Sequence, residues 1–146
     1  MGKVLKQNKI VIVLQGRFAG KAAIVVKTYE GTQRHPFHHA LVLGLNKYPR
    51  KITKKMSKKK IRQRLRMKCF AKYINFTHLM PTRYSVTNKY VDTKTFPEDC
   101  MEVNNQELKS KTLKKYAKAM MEMYETTPKG VEKAHDLMKF FKKLRF

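Results

Sequence analysis

Thirteen Lys and Arg residues stand between Lys47 and Lys72, with no Asp or Glu among them. They are Lys47, Arg50, Lys51, Lys54, Lys55, Lys58, Lys59, Lys60, Arg62, Arg64, Arg66, Lys68 and Lys72. Solvent screens such a run without neutralising it, so a small domain that carries it repels itself until a polyanion supplies counter-charge. The chemistry this spacing supports is phosphate neutralisation, in which each contact releases condensed counterions and the gains accumulate. The implied partner is nucleic acid.

Other chemistries fare worse. His35, His38 and His39 cluster, but two are adjacent, no carboxylate follows, and zinc would require a fourth ligand of suitable geometry. Surface or RNA-facing histidines are the expectation. Glu30 and Asp92 are the only carboxylates in residues 1–96, so no general acid and base can be paired there and no enzyme is expected. Cys69 and Cys100 show no CxxC spacing, and nothing marks Cys69, on a half-buried strand, as activated. Gly16 to Lys21 lacks the interval and the Lys-Ser/Thr ending of a P-loop. Hence no metal, cofactor, small-molecule substrate or homo-oligomer is expected. No apolar run reaches the roughly 20 residues of a membrane span, no signal-peptide core is evident, and Lys6 spoils a myristoylation reading of Gly2. The expectation is a soluble intracellular chain with no membrane partner.

Charge divides the chain unevenly. Residues 1–96 hold 23 of the 34 basic residues and two of the ten acidic ones, a net +21, whereas residues 97–146 carry only +3. One domain over 1–92 and an extension over 93–146 suit this length and asymmetry.

The elements that must position these cations follow from periodicity. Ile10–Leu14 and Ala23–Tyr29 read as β-strands around Gly16 and Gly20, which supply the positive φ of a tight turn. Ala40–Leu43, Lys68–Phe76 and a short Tyr84–Val86 complete a set of close-spaced strands, which points to a small barrel. The basic run becomes a long excursion leaving that barrel, with Ser57 available to cap a short helix from Lys58 to about Arg66. Beyond it the period changes. Leu113, Tyr116, Ala117, Met120, Met121 and Tyr124 share one helical face, with Asn104 or Asn105 as cap. Thr127-Pro128 then opens a second helix, striped by Val131, Ala134, Met138 and Phe141. Packing is the plainest role for both stripes, and the better amphipathic helix carries little net charge.

Asn8 to Lys27 resembles a KOW motif, through Lys9–Leu14, Gly16, Gly20-Lys21 and Ile24–Val26. In that motif the glycines turn the hairpin and leave Arg17 and Lys21 facing RNA. His39–Val42, Tyr48–Lys51, Lys58–Ile61, His78–Val86 and Phe140–Phe146 then occur in order. Together they resemble the eukaryote-specific large-subunit ribosomal protein family numbered twenty-seven, which is distinct from the bacterial protein of that number. The likeness is close over residues 1 to about 92 and again over the last seven. Asn8 replaces a family Gly, tolerably, since Asn enters the left-handed region. His135–Lys139 stands where the family has a Gly-Lys-Asn stretch and a Trp, and residues 93–139 are longer and diverged.

The combined expectation is a mainly β protein with an α extension: a small SH3-like (KOW) β-barrel, a long basic loop and a C-terminal helical tail. Resemblance implies a structural constituent of the large ribosomal subunit, bound to its rRNA and to neighbouring ribosomal proteins. It also implies a cytoplasmic location after nuclear or nucleolar transit. The expected RNA-binding residues are Arg17, Lys21, Tyr48, Arg50, Lys51, Lys54, Lys55, Lys58, Lys59, Lys60, Arg62, Arg64, Arg66, Lys68, Arg83, Tyr84, Lys142, Lys143 and Arg145. Arg83 can grip phosphate with its planar fork, while Tyr84 either stacks on a base or packs into the barrel. The rival is a KOW-type transcription or chromatin factor, although such factors usually add domains through acidic linkers that this chain lacks.

Overall fold

Ala22–Val26 and Ala40–Leu43 are apolar without alternation, a pattern that suits strands buried on both faces. The computed structural model describes residues 4–31, 33, 36–86, 106–126 and 132–144, the side chains of 132–135 and 137 excepted. Five strands form, β1 (Lys9–Val13), β2 (Ala22–Tyr29), β3 (His39–Lys47), β4 (Lys68–Asn75) and β5 (Leu79–Ser85). They make one antiparallel sheet in the order β4-β3-β2-β1-β5, a small β-barrel-like domain. Among the described residues three α-helices accompany them, α1 (Lys58–Leu65) between β3 and β4, and α2 (Gln106–Thr126) and α3 (Glu132–Phe141) after β5.

Each face of the sheet has its own core. Val11, Val13, Ala23, Val25, Val42, Phe70 and Leu79 pack together on one side. On the other, Ile10, Ile24, Val26, Leu41, Leu43 and Leu45 join Met120 of α2 and Phe140 and Phe141 of α3. The helical tail is therefore the lid of the second core. Met120 and Phe140 are each only 1% exposed, and burial of side chains this large contributes about 1.5–3 kcal/mol apiece. Leu113, Tyr116, Met121 and Tyr124 of the expected stripe pack against the same core, and Tyr124 meets Phe141 edge-on at 5.3 Å. Asn104, Asn105, Thr127, Pro128 and Val131 lie outside the described residues, as do the side chain of Ala134 and the positions of His35 and Cys100.

The expected turn residues take the expected conformations. Gly16 and Gly20 have φ of 89° and 74°, and Asn8 reaches 65°. Asn8 also ties strands together: its N–H donates to the Val25 carbonyl at 2.8 Å, and its own carbonyl accepts from Val86 N–H at 2.9 Å. Two strands run longer than their sequence signal. β3 continues to Lys47 through Gly44, where a Cβ would stand 2.5 Å from the Phe70 ring and 2.9 Å from the Ala22 carbonyl oxygen. Only glycine lets that ring cross the strand. β5 starts at Leu79 rather than Tyr84, because it is an edge strand, where Pro81 is tolerated.

Candidate nucleic-acid interface

Phe18 is the foundation of the β1–β2 hairpin. Its ring stacks on Phe70 at 3.9 Å with the planes 7° apart, and the Phe70 ring in turn fills the space that Gly44 leaves. Above it, the Arg17 guanidinium lies 4.8 Å and the Lys21 ammonium 5.2 Å from the ring centroid. Lys21 Nζ also donates to Asn46 Oδ1. The aromatic face holds both cations by attraction to its π-electrons, at the hairpin where the KOW resemblance wants them.

The excursion from 48 to 67 is closed at its base by backbone. Arg50 N–H donates to the Arg64 carbonyl at 3.0 Å, and Arg64 returns a guanidinium bond to the Lys51 carbonyl at 3.0 Å. Tyr48 is half-buried, and its hydroxyl accepts from Ala22 N–H at 3.1 Å. Burial pushes that phenol upward, partly offset by the Ala22 bond, so Tyr48 anchors the loop to the sheet. Within the excursion α1 starts after Ser57, whose side chain makes no cap bond, and buries no residue. Its first turn is Lys58-Lys59-Lys60 with no acid, the wrong sign for the positive end of a helix dipole. An anion would correct it. Lys54, Lys55, Lys58, Lys59, Lys60, Arg62 and Arg66 are exposed.

At β5 the ladder with β1 shifts register between Lys9 and Val11, leaving Thr82, Arg83 and Tyr84 opposite Ile10. The Thr82 hydroxyl takes over part of the missing ladder: it donates to the Ile10 carbonyl at 2.7 Å and accepts from Tyr84 N–H at 3.2 Å. Such a bulge re-aims side chains. Tyr84 packs half-buried against the tail-side core, while Arg83 is exposed with its guanidinium 5.2 Å from the Tyr84 ring centroid and Nη2 3.4 Å from the Tyr84 hydroxyl.

A cleft of about 910 Å³ collects residues far apart in sequence. Arg50 and Lys51 come from the excursion, Thr82 and Tyr84 from β5, and Lys139, Lys142 and Lys143 from α3 and the turn after it, over a floor of Ile12, Pro49 and Phe141. Arg17 and Lys21 stand apart at the hairpin, Lys68 is exposed at the start of β4, and Arg145 lies outside the described residues. Lys139 went unnoticed in sequence, although it sits three and four residues before Lys142 and Lys143. His39 departs from the surface expectation: it is 6% exposed and stacked on Tyr29 at 5.2 Å, whereas His38 is exposed. Cys69 is also inert, because burial raises its thiol to about 12 and it points at Met120 Sδ, 3.6 Å away. Among the described residues no three His, Cys, Asp or Glu side chains gather as a metal site.

A barrel-like sheet under a helical lid, with cations on a hairpin, an excursion and a cleft, defines a small basic protein of the nucleic-acid-binding class. The ribosomal L27e protein family matches residues 10–146. The chain is also 44% identical, over 147 residues that span all of both proteins, to large ribosomal subunit protein eL27 of Tetrahymena thermophila. The chain belongs to the ribosomal L27e family. Membership agrees with the motif resemblance and extends it through the diverged 93–139 stretch, and it gives no support to a transcription or chromatin factor.

Proposed function

We propose that this chain is a structural constituent of the large ribosomal subunit that binds and compacts rRNA. The observation that carries the reading is the cleft in which Arg50, Lys51, Tyr84, Lys142 and Lys143 converge from three segments. Phosphates neutralised by such a cluster allow RNA strands to approach one another. Neighbouring ribosomal proteins are further partners, the working location is the cytoplasmic ribosome after nucleolar assembly, and no catalysis is involved. The nineteen positions from Arg17 to Arg145 named above are the proposed contact set, with Tyr48 acting through the loop it anchors. Residues 1–92 form the docking domain and 93–146 its extension.

Sedimentation of tagged protein after a high-salt wash tests the assignment. Co-migration with the large subunit is expected, and release to the soluble fraction would overturn it. Binding against salt tests the mechanism. Replacing Lys58, Lys59 and Lys60 by Gln flattens the log–log salt slope by roughly 0.7–0.9 per lost contact, on cognate and scrambled RNA alike. Arg83→Lys keeps the charge but removes the planar fork, so it weakens cognate rRNA preferentially at nearly unchanged slope. Equal losses on both RNAs would reduce Arg83 to bulk charge.

A further inference from the structure

Counted along the chain, the tail is nearly neutral, but one side of α2 lies against a cavity whose charged lining, among the described residues, is all basic. Lys109, Lys114 and Lys118 line a cavity of about 770 Å³ beside β4, with Met67, Cys69 and Leu113 among its apolar lining. A second cavity of about 520 Å³ is lined by Lys58, Lys59, Arg62 and Arg66 of the excursion. Arg66 and Met121 line both, so the two adjoin at these side chains, the larger being a groove between α2 and the start of β4. Among the described residues no Asp or Glu lines either part. The acids of α2, Glu107, Glu122 and Glu125, lie outside it; Glu122 reaches Lys118 at 4.0 Å, with both side chains largely exposed, a pair that water and salt weaken.

We propose that this groove holds a single RNA strand by its sugar-phosphate backbone, so that the tail is a direct RNA ligand as well as the lid of the sheet. The inference rests on the ribosomal reading above and extends it to residues outside the contact set already named. Occupancy follows from charge and shape. Arg66 and Lys68 from the start of β4 and Lys109, Lys114 and Lys118 from α2 line the same cavity; like charges so gathered repel, and a linear polyanion lying among them answers all of them at once. The apolar lining supports the methylene stems of the lysines while their ammonium groups reach the rim. Nothing in this arrangement reads base edges, so the groove tracks backbone without sequence preference.

The experiment measures affinity against salt for the full chain, with single-stranded oligouridylate and with large-subunit rRNA. Two variants of equal charge are compared on one helix, Lys109→Gln/Lys114→Gln inside the groove and Lys111→Gln/Lys115→Gln outside it. The first is expected to flatten the slope by about 1.4–1.8, at roughly 0.7–0.9 per contact, and the second to leave it nearly unchanged. Equal flattening by both would show bulk charge only and overturn the groove. If neither flattens it while Arg50→Gln/Lys51→Gln does, the groove is wrong and the ribosomal reading stands. A wild-type chain whose affinity ignores salt would sink both. A lowered denaturation midpoint for Lys109→Gln/Lys114→Gln, with the RNA slope intact, would show that these lysines serve the fold and overturn the groove.

Discussion

The excursion and the helical tail both leave the sheet and both carry many lysines, yet they are held by opposite means. α1 buries no residue and is retained by the paired Arg50–Arg64 and Arg64–Lys51 bonds at its base. α2 and α3 place Met120, Phe140 and Phe141 in the core. Apolar burial can order the tail without a partner, whereas the excursion, whose helix buries no residue, is expected to need counter-charge for full order. Net charge therefore says where a polyanion is needed and nothing about where one can bind. The tail shows this, being nearly neutral and still presenting a cationic groove.

The largest effect that could break this contrast is a charge placed under the lid. Met120→Asp should lower stability by about 3 kcal/mol or more, since an unpaired carboxylate would sit where side chains are excluded from water. Ile61→Asp, on the half-buried side of α1, should cost no more than about 0.5 kcal/mol. Chemical denaturation midpoints of the two variants measure the difference, and similar losses would mean that the excursion is packed as firmly as the tail.

Amide exchange sharpens the contrast next. In the free protein, residues 50–66 should exchange within roughly the time of an unstructured chain, while the middle of α2 approaches global protection. Added rRNA should slow the first region and leave the second almost unchanged. Strong protection of 50–66 before RNA is added would refute the account of its order.

Cys69 gives the smallest and most local readout, because it lies beneath α2. Burial raises the thiol from 9.0 to about 12 in the folded chain. The unfolded chain therefore loses this proton first, and stability is fully present below about pH 9 and falls as pH climbs toward 12. At pH 10 the loss should be on the order of 1 kcal/mol, read as the difference from Cys69→Ala so that lysine and tyrosine titrations cancel. In a Cys100→Ser background, alkylation of Cys69 at neutral pH should be slow and should accelerate in Met120→Asp, if the lid is what shields it.

Much of the barrel was legible because local chemistry dictates it. Gly16, Gly20 and Asn8 announce left-handed turns, and the apolar stripe of α2 fixes its buried face in the sequence alone. Gly44 and Pro81 misled for the same local reason: both disfavour strands in isolation, and only the Phe70 ring and the edge position explain them. The lid was hidden for another cause. Unbroken apolar runs in β2 and β3 signal two buried faces, but they do not say which segment covers the second. Of the candidate site, the excursion could be read from composition, whereas the cleft required the fold to bring Lys142 and Lys143 beside Arg50. The groove on α2 is not legible in its sequence, because Glu107 and Glu125 share the azimuth of Lys114 and Lys118, and only the packing beside β4 decides which of them line the cavity.

The two edges of the sheet carry a consequence for the chain before it meets RNA. An exposed edge strand offers unpaired backbone groups on which another extended chain can grow. Here β5 interrupts that template with Pro81, which has no N–H, and with the bulge that projects Arg83, while β4 sets Lys68 and Lys72 outward. A second copy finds a broken ladder at β5 and positive charge matching its own at both edges. Both features oppose growth of a ribbon on these edges, so Lys68 and Arg83, proposed as phosphate contacts, have a second use before any phosphate is met.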